Sequence, residues 1–228
     1  MLESLKQTVL EANLALRDSA LVILTWGNAS AIDRERGIVA IKPSGVSYDA
    51  MTRDSIVLVD MDGNVVEGTL RPSSDTPTHL ALYRSFPQIG GVVHTHSTYA
   101  VAWAQACRPI PNIGTTHADT FHADIPCTRE MTPEEISEGY ERFTGDVISE
   151  CFKDMNPLHT PGALVRHHGP FTWGETAAKA VENAVILEEV ARMAWLTYSL
   201  NPSVMMNPDL IEKHYSRKHG KDAYYGQK

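Results

Sequence analysis

The sequence is short of several things, and each shortage closes off a class of function. Basic residues are outnumbered, 20 Lys and Arg against 28 Asp and Glu, giving a formal net charge of −8. Polyanions are held by excess Lys and Arg, so general binding to nucleic acid or to an anionic membrane is excluded as the main activity. Only three cysteines occur in 228 residues, Cys107, Cys127 and Cys151, and their spacing gives neither a disulfide framework nor a Cys-x-x-Cys zinc or redox motif. No apolar run approaches the roughly 18 residues of a membrane span, and the opening MLESLKQTVLEANLAL lacks the basic and then apolar stretches of a secretory leader. A cytoplasmic protein is expected. Neither Gly-x-x-x-x-Gly-Lys-Ser/Thr nor Gly-x-Gly-x-x-Gly is present, so a nucleotide loop has no support.

What is present reads as one mixed domain over residues 1–228, with no repeat, linker or low-complexity stretch. Leu2, Leu5, Val9, Ala12 and Leu16 recur at steps of three and four, the spacing of one apolar helix face. Two strand pairs follow. Residues 28–32 and 38–42 are joined by the charged turn Asp-Arg-Glu-Arg-Gly, and residues 55–61 and 64–68 by Asp62-Gly63. Thr76-Pro77 signals a helix start, with Thr76 as N-cap and Leu80, Tyr83 and Phe86 along the helix. Residues 90–96 (GGVVHTH) and 162–168 (GALVRHH) read as buried strands, the second stopped by Gly169-Pro170. Helices are expected over 97–107, 132–151, 175–200 and 208–219. Hairpins interleaved with helices predict an α/β fold layered as α/β/α around a mostly antiparallel sheet.

The histidines carry the first chemical signal. His94 and His96 flank one residue of a strand, so both rings leave the same face about 6–7 Å apart at the backbone and can meet at one cation. A third ligand is available from His167 or His168, of which strand alternation lets only one face the ion, with His168 favoured. Asp75, at a helix start, offers a carboxylate. Three histidines and one carboxylate suit a borderline divalent ion such as zinc. His79, His122 and His159 read as surface or helix-face residues. His117, in the polar stretch 114–119 (GTTHAD), reads as a residue that can orient a neighbour.

The second signal is anionic. Gly27-Asn28, Lys42-Pro43-Ser44-Gly45 and Ser73-Ser74 each combine glycine or hydroxyls with a hydrogen-bond donor, and Ser73-Ser74 lies just before a helix N-terminus. These are the parts a phosphate monoester needs.

Taken in order, Trp26-Gly27-Asn28, Lys42-Pro43-Ser44-Gly45, Ser73-Ser74-Asp75-Thr76-Pro77-Thr78-His79, His94-Thr95-His96-Ser97, residues 114–119 and His168-Gly169-Pro170 resemble the L-ribulose-5-phosphate 4-epimerases. The tail Lys213-His214-Tyr215-x-Arg217-Lys218-His219-Gly220 with Ala223-Tyr224-Tyr225-Gly226-Gln227 is similar to theirs too. The resemblance implies a class II aldolase/epimerase fold, a homotetramer with active sites at subunit interfaces, and one Zn2+ per subunit, for which Mn2+ or Co2+ could substitute. It implies that Asp75, His94, His96 and His168 hold the metal and that Asn28, Lys42, Ser44, Gly45, Ser73 and Ser74 surround a substrate phosphate. Asp119 and Tyr225 match the family's two acid/base residues, with Thr115 or Thr116, His214 and Arg217 close to substrate. The chain departs from the family at Arg166-His167, where His-Ser is usual, which makes His167 a competitor of His168.

The activity so implied interconverts L-ribulose 5-phosphate and D-xylulose 5-phosphate. C4 is not adjacent to the C2 ketone, so inversion there needs cleavage and re-formation of C3–C4 rather than simple deprotonation. The alternatives are a class II sugar-phosphate aldolase that releases its fragments, or a non-catalytic adducin-like module, which loss of the metal ligands would signal.

Overall fold

The computed structural model describes residues 2–221 and 223–225. Gly226 and Gln227 of the tail motif lie outside the described residues. Strands β1 (Asn28–Asp33), β2 (Ile38–Ile41), β3 (Val57–Asp60), β4 (Val65–Glu67), β5 (Gly91–His94), β6 (Gly162–Val165) and β7 (Gly169–Gly174) form one sheet in the order β4-β3-β2-β1-β5-β7-β6. Every ladder in it is antiparallel. The helices are α1 (Leu2–Asp18), α2 (Thr76–Ser85), α3 (Thr98–Gln105), α4 (Thr115–Ala118), α5 (Pro133–Glu150), α6 (Ala177–Leu200) and α7 (Pro208–His219).

Alternation along the strands sends successive side chains to two cores. Ala29, Ala31, Ala40, Leu58 and Val93 face α1 and α6. Val39, Val57, Val59, Val92, Phe171 and Trp173 face α2 and α5. The first face is built from small residues, and α6 comes close enough that a Cβ at Gly91 would lie 2.3 Å from the Ala177 Cα. The α/β/α layering expected from the sequence follows from this two-faced burial.

Two of the expected strands end differently. The strand 90–96 stops at His94, so His96 lies beyond the ladder. The segment 162–168 stops at Val165, and Gly169-Pro170 opens another strand rather than ending one. Residues 166–168 are the hairpin turn between β6 and β7, with His167 at a φ of 61°. His167 and His168 are therefore separated by turn geometry, not by strand alternation. His79 is not a surface residue but fully buried, because α2 is clamped between the sheet and α5 and is covered on nearly every side. Among the described residues no helix is long and apolar enough to cross a membrane, and the three cysteines are free.

Candidate active site

The start of β1 is fixed from α1. The buried Asn13 amide donates to the Ala29 carbonyl at 3.1 Å and accepts from the Ala29 N–H at 2.9 Å, which sets the start of the strand and with it Asn28. Gly27, immediately before, has a φ of 78°, and a Cβ there would lie 2.8 Å from the His94 carbonyl oxygen. Only glycine fits that approach.

Two loops meet beside it. The Ser44 N–H donates to the Arg71 carbonyl at 2.9 Å and the Ser73 N–H to the Lys42 carbonyl at 3.0 Å, pairing the segment after β2 with the segment before α2. Asn28 Nδ2 ties both to the strand, donating to Ser73 Oγ at 3.0 Å and to Asp75 Oδ2 at 2.6 Å. Asp75 occupies the N-cap position of α2 but makes no side-chain cap bond; its carboxylate is turned to Asn28 instead.

His94, at the end of β5, His96, just beyond it, and His168, at the end of the β6–β7 turn, converge. Nε2 of His96 lies 3.0 Å from Nε2 of His94 and 3.2 Å from Nε2 of His168. Their ligand atoms all fall within 4.8 Å of one another, the spacing of donors around a single ion. The outer nitrogens are held: Nδ1 of His94 lies 3.0 Å from the Pro170 carbonyl, and Nδ1 of His168 lies 3.0 Å from the Tyr140 hydroxyl. Phe171 stacks on His94 at 4.2 Å and 16°. Burial, followed by the neighbouring His94 and His96, pushes His168 down to about 3. Burial and His94 lower His96 as well. Neutral imidazoles with lone pairs facing one point are the ligating form, so the residues fit a divalent ion. Asp75 lines the same cavity but lies outside the three-histidine cluster. Burial pushes its carboxyl up, yet the nearby His94 and His79 and the Asn28 hydrogen bond outweigh it and hold Asp75 below the usual carboxylate range.

The histidines share one cavity of about 430 Å³ with the residues expected to hold a phosphate: Asn28, Lys42, Ser44, Gly45, Ser73 and Ser74. Lys42 is 2% exposed, and burial lowers its pKa. Its ammonium lies 3.4 Å from the Thr25 and Pro43 carbonyls and 5.0 Å from the Tyr48 ring centroid, and among the described residues no carboxylate pairs with it. A buried cation with such weak neighbours is suited to an anion from outside. Gly45, at a φ of 70°, leaves nothing within 4 Å of where a Cβ would be, so the loop is open where an anion would approach. Trp26, Tyr140 and Glu141 also line this cavity. Sequence reading did not single out the last two, although Gly139 inside a helical pattern was the available signal.

Asp119, His214, Arg217 and Tyr225 gather elsewhere, and none of them lines the histidine cavity. Asp119 caps the C-terminus of α4 and accepts from His214 Nδ1 at 3.0 Å and from Arg217 Nη2 at 2.6 Å, with Lys218 at 3.5 Å. Partial burial alone would raise its pKa; the Arg217 and His214 hydrogen bonds and the Lys218 charge outweigh it and hold the carboxyl below its ordinary range. The exposed Tyr225 ring packs against the same cations, its centroid 4.9 Å from the Arg217 guanidinium and 4.5 Å from the Lys218 ammonium. Thr115 and Thr116 sit on α4, and Thr116 lines a separate groove with His117 and Met193. His117 is buried with Nε2 on the Ala123 carbonyl at 3.1 Å, holding its own loop.

The model of the class II aldolase and adducin N-terminal domain family matches residues 7–195. The chain belongs to that family. Across the whole length of both chains it is 60% identical to a curated L-ribulose-5-phosphate 4-epimerase UlaF of Salmonella paratyphi B, and equally to one of Salmonella typhi. Among solved structures it superposes on an L-fuculose 1-phosphate aldolase with a TM-score of 0.79 and 25% identity, covering 94% of this chain and 95% of the other. Within this chain the three histidines and the Ser44 and Ser73 loops line one cavity, and the Asp119 cluster lies outside it.

Proposed function

We propose that this protein is an isomerase, a zinc-dependent L-ribulose-5-phosphate 4-epimerase that works by breaking and remaking C3–C4. The observation that carries the reading is the single cavity in which three converging Nε2 atoms adjoin the Ser44 and Ser73 loops and a buried lysine with no carboxylate partner among the described residues. The full-length 60% identity to epimerases supports this substrate over that of the aldolase at 25%.

In the proposed assembly, a homotetramer, Asp119 and Tyr225 of one subunit complete the metal cavity of its neighbour. Their separation from the histidine cavity within one subunit supports that arrangement. His94, His96, His168 and Asp75 would hold the zinc. When bound, the ion supplies Lewis-acid stabilisation of the negative charge that develops on cleavage. One of Asp119 and Tyr225 takes the C4 hydroxyl proton as C3–C4 breaks, leaving the enediolate of dihydroxyacetone and glycolaldehyde phosphate. The aldehyde turns to present its other face, the bond re-forms, and the second residue returns a proton from the opposite side. Lys42, Asn28, Ser44, Gly45, Ser73 and Ser74 grip the phosphate meanwhile, because escape of that fragment turns epimerisation into aldolysis. Thr115 or Thr116, His214 and Arg217 stand near the reacting carbons, Arg217 and His214 keeping Asp119 ionised.

The test is conversion of L-ribulose 5-phosphate to D-xylulose 5-phosphate by the purified protein, with His96→Asn in parallel. Turnover by the wild type, and loss of both turnover and bound metal in the variant, is the expected result. A metal-loaded wild type that leaves the substrate untouched overturns the reading.

A further inference from the structure

One wall of the cavity comes from a helix that breaks in order to supply it. α5 leaves helical geometry at Gly139, and the next two residues, Tyr140 and Glu141, line the cavity. The break is held from α2. The Thr78 hydroxyl donates to the Glu141 carbonyl, and Gly145 packs so tightly on α2 that a Cβ there would lie 2.4 Å from the Ala81 Cβ. The packing that carries Asp75 at the start of α2 therefore also fixes where Tyr140 points.

The Tyr140 hydroxyl lies 3.0 Å from Nδ1 of His168, whose Nε2 is turned inward to His96. His94 is arranged likewise, but its Nδ1 faces a backbone carbonyl at 3.0 Å that the β5–β7 ladder fixes. An imidazole that ligates through Nε2 carries its remaining proton on Nδ1, and the acceptor of that proton sets both tautomer and ring angle. For His94 the fold supplies the acceptor directly. His168 sits in the β6–β7 turn, outside any ladder, and its acceptor is a side chain brought from α5. We infer that Tyr140 is a positioning residue of the metal centre: its hydroxyl oxygen accepts the Nδ1 proton of His168 and so aims Nε2 of that ligand at the ion.

This inference rests on the metal reading proposed above. It makes the α2–α5 contact part of the metal site, since moving α5 removes the outer partner of one ligand and disturbs the segment that presents Asp75.

The test compares wild type, Tyr140→Phe and His96→Asn by chelator competition for Zn2+ and by the visible spectrum of the Co2+-loaded proteins. Removing an outer partner of this kind weakens metal binding by about 10- to 100-fold. Tyr140→Phe, which deletes one oxygen and keeps the ring, is expected to show that loss together with a shifted cobalt band. Wild-type zinc affinity and an unchanged cobalt spectrum in Tyr140→Phe overturn the inference while leaving the metal reading standing. A wild type that binds zinc no better than His96→Asn overturns both. Ring 15N NMR of the zinc-loaded wild type is a readout independent of any variant: a proton on Nδ1 of His168 is expected, and a proton on Nε2 refutes the assignment.

Discussion

Lys42→Met separates binding from stability. The ammonium is buried, lies 3.4 Å from its two carbonyl neighbours and has no carboxylate partner among the described residues, so in the ligand-free protein its desolvation is poorly offset. Methionine keeps most of the volume and removes the charge, and the ligand-free variant is expected to melt at or above the wild-type temperature. Binding moves the other way. A hydrogen bond to a charged group contributes about 1.5–3 kcal/mol, so losing about 2 kcal/mol weakens phosphate binding about 30-fold. A pentitol 5-phosphate, which has no carbonyl to react, serves as the ligand in thermal melts. At about 100 times the wild-type Kd it adds about 2.7 kcal/mol to wild-type stability, and at the same concentration about 0.9 kcal/mol to the variant. For a chain of this size the shift in Tm is then about 5–11 °C for wild type and about 2–4 °C for Lys42→Met. A variant that melts well below wild type without ligand, or that keeps the full wild-type shift with it, refutes the reasoning.

Mixing His96→Asn with Tyr225→Phe subunits tests whether one site draws on two chains: each variant alone is inactive, and equal mixtures after subunit exchange recover about a quarter of wild-type activity if the metal half and Tyr225 come from different subunits. No recovery places both halves in one chain. The pKa of Asp119 is lowered in the folded protein, so the stability it contributes to α7 is present above the ordinary Asp value near ~3.9 and is lost as pH falls through the lowered value. Hydrogen exchange is therefore expected to find α7 protected at neutral pH and down to about pH 4, then released in stronger acid; Asp119→Asn is expected to expose α7 already at pH 7. Equal protection of α7 in both proteins at neutral pH counts against the ion-pair account.

Much of the fold was legible in the sequence because local chemistry and tertiary demand agree. The Asp62-Gly63 turn, the short apolar run through Val57, Leu58 and Val59 that it closes, and the Gly- and Pro-free run of α6 each fix an element without distant help. β7 was missed because Pro170 reads as a stop. It is the second residue of its strand, where it accepts through its carbonyl from the Thr95 N–H and needs no N–H of its own. His79 was misread because the solvent face of α2 is narrow, limited to Pro77, Arg84 and Ser85: Thr76, Thr78 and His79 are buried along with Leu80, Leu82 and Tyr83, so polarity there marks an internal network, Nδ1 of His79 lying 2.7 Å from Ser30 Oγ. The candidate site divides the same way. His94 and His96 announce themselves by spacing, but the meeting of Lys42 with Ser73 depends on loops about 30 residues apart pairing through Pro43 and Pro72, which no local pattern encodes. Asp119 and Tyr225 were visible only through family resemblance, since a lone aspartate after a short polar stretch and a tyrosine near the end of a chain carry no spacing signal of their own.

The most direct measurement is a mass balance on L-ribulose 5-phosphate, with the protein metal-replete and after stripping with EDTA, quantifying D-xylulose 5-phosphate and free glycolaldehyde phosphate together. The account predicts metal-dependent formation of D-xylulose 5-phosphate with little free aldehyde, because the Lys42 and Ser44 loops retain the cleaved fragment. Accumulation of glycolaldehyde phosphate as the main product, or undiminished turnover after metal removal, contradicts it.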